Sequence, residues 1–360
     1  MSSSSRKILN FFSPKRIIFP ILIGVLGTIY LLWTGVDMEV VQQMDWGTSS
    51  IFRMLIAVLM MIIRDIAYMY RIRVLTNNEI SWRNSFDVIM LWEFASAITP
   101  SVVGGAGIAI FILNKEKMSL GRSTAIVMTT AFLGELFYIV MVPIVIVLVG
   151  VNNIFPRDSG GTFLGWLMSI QYLFVIGYGF IFLLTSVILY ATFFNPQGFK
   201  NLLVRICTIG FLQRWKEKAI RTGDDLITTS QELKGKPIQF WIKAFGATLF
   251  AWTARFWVVN FIILAFSPVN VLDHFGIYAR QLVMWVIMLI SPTPGSAGVA
   301  EVLFPQFLGD YIANASPEVL GLIWRILSYW PYLLIGVIVL PKWIQRVFLK
   351  RKLIKFKTTK

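Results

Sequence analysis

Long apolar runs alternate with short polar segments along the whole chain. At 1.5 Å of helix rise per residue, a run of about 20 residues crosses about 30 Å of hydrocarbon. Two further apolar runs, 86–113 and 278–308, are interrupted by prolines and glycines. The pattern predicts an all-α polytopic membrane protein with two broken segments and six plain spans. The predicted spans are 17–36, 51–70, 124–150, 163–194, 238–266 and 319–340.

The two interruptions share a Thr-Pro-x-x-x-Gly pattern. Proline lacks a backbone donor and clashes with the preceding turn, so each cluster should break its helix. Broken backbone at membrane depth is tolerated where it is buried in protein or lines a wet cavity. Each cluster is therefore predicted to be the tip of a re-entrant hairpin, with a tight turn between two ordinary spans as the alternative. The predicted tip residues are Thr99, Pro100, Ser101, Gly104, Gly105, Gly107, Pro292, Thr293, Pro294, Gly295 and Gly298.

Basic residues indicate which ends of the runs face the cytoplasm. Lysine and arginine concentrate on the cytoplasmic side of membrane proteins. Five segments hold 26 of the chain's 33 lysines and arginines: 1–16, 71–83, 115–122, 195–237 and 342–360. All five lie inside if 86–113 is a cytoplasmic hairpin and 278–308 an external one. Eight full spans would also leave both termini inside, but would place 115–122 outside.

This order divides the chain into two halves of opposite orientation. A cytoplasmic tail, 1–16, precedes the first membrane half, 17–150. The second half, 151–347, contains the cytoplasmic loop 195–237, and a basic tail, 348–360, follows. The arrangement predicts an inverted-topology repeat, in which one half rocks against the other around a site near the membrane midplane.

Charged residues inside the apolar runs are the candidate binding groups. Each costs about 2.5–3.5 kcal/mol to insert, so such residues commonly serve a function. Arginine suits phosphate, and two carboxylates could act as counter-ions or as a proton-coupling pair. Alternatively, Arg64 pairs with Asp65 or a neighbour, and Arg255 and Arg325 pair with Glu135 and Glu301, only to hold the bundle. The candidate substrate-binding residues are Arg64, Glu93, Glu135, Arg255, Glu301 and Arg325.

Composition supports the membrane class and excludes several functions. Apolar residues make up 57% of the chain, charged residues 14%, and the mean hydropathy is +0.72. The net charge of +15 lies in segments flanking spans, so no nucleic-acid partner is expected. One cysteine, Cys207, and one histidine, His274, predict neither a disulfide framework nor a metal site, and no cofactor is expected.

Three motifs resemble a known family. The stretch from Pro292 to Glu301 resembles the Pro-x-Pro-Gly-x-x-Gly-x-x-Glu signature of the lysylphosphatidylglycerol synthase transmembrane, or flippase-like, family. Thr99-Pro100-Ser101 with Gly104-Gly105 resembles its first motif, and Arg325 followed by Tyr329-Trp330-Pro331 its last span. The resemblance implies a lipid-translocating domain similar to the flippase half of bacterial multiple peptide resistance factors, which moves aminoacylated phosphatidylglycerol across the inner membrane.

Together with this resemblance, the patterns predict a lipid flippase for an anionic phospholipid or a lipid-linked substrate. The resemblance also implies an aminoacylated phospholipid as a candidate and the bacterial inner membrane as the location. The partners of the flippase would be membrane lipids, with further copies of the chain or a separate lipid-modifying enzyme as possible associates. The chain ends at Lys360 without the soluble aminoacyl-transferase domain, so we expect no enzyme activity. The alternatives are a membrane transferase, with Glu301 or Glu135 as general base, and a non-transporting partner protein.

Overall fold

The computed structural model describes residues 38–99, 102–156, 170–208, 210–289, 293 and 295–349. These residues contain α-helices and short 3₁₀ and π turns but no strand. The predicted tail 1–16, the predicted span 17–36, the start of the window 163–194 and the end of the basic tail lie outside them. The helices are α1 Met38–Gln43, α2 Thr48–Leu75, α3 Trp82–Ile98, α4 Val102–Lys115, α5 Leu120–Val149, α6 Ile170–Leu189, α7 Pro196–Ile206, α8 Lys216–Leu233, α9 Ile238–Phe266, α10 Val271–Leu289, α11 Val299–Leu308, α12 Pro317–Ser328 and α13 Trp330–Ile344.

Four helical segments within the described residues are long and apolar enough to cross a membrane: Leu120–Val149, Gln171–Phe194, Ile238–Phe266 and Pro317–Phe348. The charged helix α2 has a similar length, 28 residues. One side of α2 nevertheless exposes large apolar side chains, including Phe52 at 63% and Leu55 at 61%. Such a row of exposed apolar side chains is suited to contact with lipid acyl chains rather than with water. The chain is therefore an all-α membrane protein, as predicted.

Several helix ends meet at one side of the bundle, here called the basic face. Arg346, after α13, binds Asp87 at 2.9 Å and also Glu116, so the end of α13 lies beside both ends of the α3–α4 pair. Lys236, before α9, donates to Asn77, after α2, at 3.0 Å. The basic face comprises residues 75–87, 115–122, 233–238 and 343–349.

The remaining helix ends meet at the other side, here called the opposite face. The hydroxyl of Ser50, near the start of α2, donates to the carbonyl of Ala265, near the end of α9, at 2.6 Å. The amide of Ala313, before α12, donates to Ser267, after α9, at 3.1 Å. Helices α2, α5, α9 and α12–α13 therefore each run between the two faces. The opposite face comprises residues 46–53, 149–154, 264–271 and 309–317.

Helices α3 and α4 form hairpin 1, residues 82–115, which leaves and returns to the basic face. Asn84 at its start donates to Glu116 just after its end, at 3.1 Å. The 14 residues of α4 rise only about 21 Å, too little for a full crossing. Gly105 allows α3 and α4 to pack closely, because a Cβ atom at this position would lie 2.3 Å from the hydroxyl of Ser96. The hairpin is slightly longer than the predicted 86–113.

Helices α10 and α11 form hairpin 2, residues 271–308, which leaves and returns to the opposite face. Arg280 of α10 pairs with Asp310, just after α11, at 2.8 Å. The same guanidinium donates to the carbonyls of Phe307 and Asn153, which joins the hairpin to the end of α5. Hairpin 2 begins before the predicted position 278, and the 10 residues of α11 rise only about 15 Å.

The last span is bent, where the sequence predicted a continuous helix over 319–340. Helix α12 ends at Ser328 and α13 begins at Trp330. Between them Tyr329 leaves helical geometry, with φ −123° and ψ −55°. The cause is Pro331, which cannot donate to the preceding turn and would clash with its carbonyl.

The predicted loop 195–237 is largely helical. Helices α7 and α8 fold against each other through Lys200 and Asp224, whose charged groups lie 2.6 Å apart. Helix α8 packs on the first turn of α5, where a Cβ on Gly121 would lie 2.5 Å from the methyl group of Thr228. Both helices therefore lie on the basic face. This agrees with the sequence analysis, which grouped the loop 195–237 with the other basic segments.

The two hairpins enter the bundle from opposite faces, as an inverted repeat requires. The repeat as a whole stays a prediction, because the proposed counterpart of α6, residues 17–36, lies outside the described residues.

Sidedness can be tested by cysteine labelling in a Cys207→Ser background. Lys117 lies exposed after hairpin 1, and Leu272, 76% exposed, lies at the start of hairpin 2. We expect a membrane-impermeant maleimide to label cysteines at these two positions from opposite sides of the membrane. A cysteine replacing Trp215, which is 46% exposed between α7 and α8, is the control. It should be labelled from the same side as the cysteine at position 117. Labelling of Lys117 and Leu272 from one side would contradict the topology.

Candidate functional site

The two hairpin tips meet at the bend in the last span. The hydroxyl of Tyr329 donates to the carbonyl of Ala97, near the tip of hairpin 1, at 3.2 Å. Its ring lies against Gly295 at the tip of hairpin 2, where a Cβ would be 2.3 Å from a ring carbon. Gly295 also has φ +56°, which favours glycine. A single side chain thus contacts both tips.

A cavity of about 310 Å³ lies beside the tips, between α2, α3, α5, α9, α10 and α12–α13. Arg71, Ile89 and Val127 line the part that extends toward the basic face, each within about two turns of a helix end there. Among the predicted site and tip residues, Glu93, Thr99, Glu135, Arg255, Thr293, Gly295 and Arg325 line the cavity.

Arg64 lies behind the cavity wall in a buried network, in which its Nε has no hydrogen-bond partner among the described residues. It is fully buried, and its guanidinium binds the carboxylate of Glu93 and the hydroxyl of Tyr332, the latter at 2.6 Å. Asp65 completes the group, 3.5 Å from Arg64 and 2.9 Å from the Tyr332 hydroxyl. The pairing alternative therefore describes Arg64 well, with Glu93 as the hydrogen-bonded partner in addition to Asp65.

Arg325 and Glu301 form a second buried network, which shapes the tip of hairpin 2. Both are buried, and Arg325 Nε donates to Glu301 at 2.9 Å. A second nitrogen of Arg325 donates to the carbonyl of Gly295 at 3.1 Å. The other oxygen of Glu301 accepts the amide of Gly298 at 2.7 Å. Both carboxylate oxygens of Glu301 are therefore bound at the tip of hairpin 2, whereas Arg325 also lines the cavity.

Arg255 is held by aromatic rings rather than by a carboxylate. Its guanidinium lies 4.2 Å from the ring centre of Trp285 and 5.4 Å from that of Trp252. Within the described residues no carboxylate oxygen lies within 4.0 Å of it, so the alternative pairing with Glu135 is not formed. Stacking orients the cation and leaves its donors available to a ligand.

Arg71 is a cavity residue that the sequence analysis missed. It is 7% exposed, donates to the hydroxyl of Thr248 at 3.2 Å and lies 4.7 Å from the ring centre of Tyr68. It too has no carboxylate within 4.0 Å in the described part of the chain. The predicted span ended at residue 70, so Arg71 was assigned to the basic segment 71–83 outside the membrane. Its spacing of seven from Arg64, on one helical face, is the signal that identifies it.

Three residues of α5 that line the cavity each carry a polar atom without a partner. Thr130 Oγ1, Glu135 Oε2 and Tyr138 Oη are buried and have no hydrogen-bond partner among the described residues. All three residues line the cavity. Buried polar atoms in proteins nearly always have partners, so this wall is suited to a polar ligand or to water.

The remaining tip residues differ in their roles. Gly104 lies in the first turn of α4, and Gly107, further along α4, is exposed, with open space where a Cβ would be. Pro100, Ser101, Pro292 and Pro294 lie outside the described residues. No group of three potential metal ligands occurs in the described parts of the chain.

Comparison with known proteins agrees with the motifs at the two tips. Residues 17–336 match the family described as Lysylphosphatidylglycerol synthase TM region. A UPF0104 membrane protein from Archaeoglobus fulgidus is 24% identical to this chain over 313 residues, which cover 83% of this chain and 88% of the relative. The family match spans both hairpins and the cavity residues between them. The chain therefore belongs to the lysylphosphatidylglycerol synthase transmembrane family.

Proposed function

We propose that the chain transports a phosphate-bearing lipid between the two leaflets, with the headgroup passing through the cavity at the hairpin tips. The observation that carries this proposal is the pair Arg71 and Arg255, two cavity-lining cations without a carboxylate partner in the described residues. Cations inside a membrane protein are costly without a partner, and a phosphate would supply one. Family membership supports a role tied to lipids.

The size of the cavity supports a headgroup as the ligand. A volume of about 310 Å³ lies at the lower end of the range of small-molecule sites, about 300–1,000 Å³. A phosphate with a small alcohol fits this volume, whereas two acyl chains do not. The acyl chains would stay in the bilayer while the headgroup crosses.

The arrangement of the hairpins supports alternating access. The cavity extends toward the basic face, while Arg280, Asp310 and Asn153 tie the elements together at the opposite face. Access from the opposite face would require these contacts to separate. We place the basic face and both termini in the cytoplasm, on the positive-inside rule, and the protein in the plasma membrane, the inner membrane of a bacterium.

Replacing Arg255 with alanine should slow lipid transport about tenfold to a hundredfold, because a hydrogen bond to a charged group is worth about 1.5–3 kcal/mol. The measurement is transport of an acyl-labelled anionic phospholipid across liposomes containing the purified protein. Lys243→Ala is the matched control, since it removes an exposed cation from the same helix outside the cavity. It should transport at the wild-type rate.

Arg255→Lys should give an intermediate rate, since lysine keeps the charge but not the planar fork. Equal rates in wild-type, Arg255→Ala and protein-free liposomes would end the proposal.

A further inference from the structure

Glu135 is the acidic residue of the cavity wall that lacks a partner for a carboxylate oxygen. Its Oε2 is buried and has no hydrogen bond in the part of the chain that the structure describes. The other carboxylate of the cavity lining, Glu93, is bound by Arg64, and Glu301, which lies outside the lining, is bound by Arg325 and the Gly298 amide. An unsatisfied buried carboxylate is unfavourable, so Glu135 needs a donor from outside the described protein.

Trp252 lies next to Arg255 and next to the turn of α5 that carries Glu135. The ring of Tyr138, one turn after Glu135, has its centre 5.3 Å from that of Trp252. The guanidinium of Arg255 lies 5.4 Å from the same ring. The two charges still do not approach within the 4.0 Å of an ion pair, although both line the cavity. Because both residues line the same cavity, one ligand can place an anion beside Arg255 and a hydrogen-bond donor beside Glu135.

We propose that Glu135 determines headgroup specificity by accepting a hydrogen bond from a hydroxyl or amine beyond the lipid phosphate. This inference rests on the proposed transport function. Arg71 and Arg255 would hold the phosphate, and Glu135 would bind the alcohol esterified to it. The substrate class is a phosphodiester lipid with a polar alcohol, such as a glycerol or ethanolamine headgroup.

Charge favours a phosphodiester over a phosphomonoester. Arg71, Arg255 and Glu135 sum to +1, which one phosphodiester neutralises, and the neighbouring group of Arg64, Glu93 and Asp65 sums to −1, which disfavours a second negative charge. A phosphomonoester can take a second negative charge, which Glu135 would repel, and it lacks an alcohol to satisfy the carboxylate. Phosphatidic acid should therefore be a poor substrate.

The test measures transport of three lipids with the same labelled acyl chain: phosphatidylglycerol, phosphatidylethanolamine and phosphatidic acid. We expect wild-type protein to move at least one of the first two about tenfold faster than phosphatidic acid, as one hydrogen bond to a charged group allows. Glu135→Ala should remove this preference, because transport of the two phosphodiester lipids loses a hydrogen bond and slows, whereas phosphatidic acid loses a repulsion and does not slow. Ile144→Ala, 44% exposed on the same helix, is the control and should keep the preference.

The pattern of rates separates the outcomes. Preference for one of the two alcohols identifies the donor as hydroxyl or amine and supports the proposal. Glu135→Gln, which keeps an acceptor oxygen, should retain part of the preference, and thermal unfolding of each variant checks that it is folded. Equal slowing of all three lipids by Glu135→Ala, or a wild type without preference, overturns this inference alone. A wild type that moves none of them overturns the proposed function as well.

Discussion

Arg325→Ala is expected to lower the free energy of unfolding by about 3–5 kcal/mol, the cost of removing one partner from a buried ion pair. Arg325 is 4% exposed and binds Glu301 at 2.9 Å and the carbonyl of Gly295 at 3.1 Å. Without it, Glu301 keeps its charge in a buried position and the tip of hairpin 2 loses a backbone contact. The measurement is unfolding by SDS titration in mixed micelles, with Ile326→Ala, 50% exposed on the same helix, as control.

A double variant separates the structural role of Arg325 from contact with substrate. Arg325→Met combined with Glu301→Gln removes both charges, and the introduced amide oxygen can still accept the Gly298 amide. We expect it to recover most of the lost stability, because no buried charge is left unpaired. Transport near the wild-type rate would then show a structural role, whereas lost transport at restored stability would show a role with the ligand. Wild-type stability in Arg325→Ala would contradict the pairing.

Arg64→Ala is expected to have an effect of the same size, about 3–5 kcal/mol, or to prevent folding. Arg64 is fully buried and joins α2 to hairpin 1 through Glu93 and to α13 through Tyr332. Its loss would leave the carboxylates of Glu93 and Asp65 close together without their shared cation. The measurement is the yield of monodisperse protein, followed by SDS unfolding of what is obtained.

Three matched variants test the Arg64 network. Arg64→Lys should restore only part of the stability, since one ammonium cannot replace the fork that reaches both Glu93 and Tyr332. Glu93→Gln should be milder than Arg64→Ala, because Asp65 still compensates the arginine. Ile62→Ala, 50% exposed on the lipid side of α2, is the control. A yield and stability of Arg64→Ala equal to those of the control would contradict the network.

The broad path of the chain was predictable because it depends on local chemistry. A proline destabilises the interior of a helix, and the clusters of proline and glycine marked the breaks at the two tips, whereas the isolated Pro143, Pro305 and Pro341 lie inside helices. Lysine and arginine distribution follows a rule of membrane insertion, and the basic segments within the described residues do lie at one side of the bundle. The contacts between Asn84 and Glu116 and between Arg280 and Asp310 agree with the predicted hairpins.

The pairings within the site could not be predicted, because they depend on side chains brought together by packing. Arg64 lies next to Asp65 in sequence, yet Glu93, 29 residues away, also binds it. Arg71 was missed because hydropathy ended the span five residues before α2 ends. The bend at Tyr329 was missed because Pro331 lies in a run that is otherwise strongly apolar.

The position of Tyr329 has a consequence for the membrane's permeability barrier. A membrane protein with a polar interior can dissipate the ion gradients of a cell if a continuous chain of water molecules crosses it. The Tyr329 ring fills the place where the two loops approach, against Gly295, and its hydroxyl is tethered to Ala97. Neither loop can withdraw without losing a contact to this ring. We therefore expect the Tyr329 ring to limit the passage of water between the two loops, so that a smaller side chain there would increase proton leak across liposomes containing the protein.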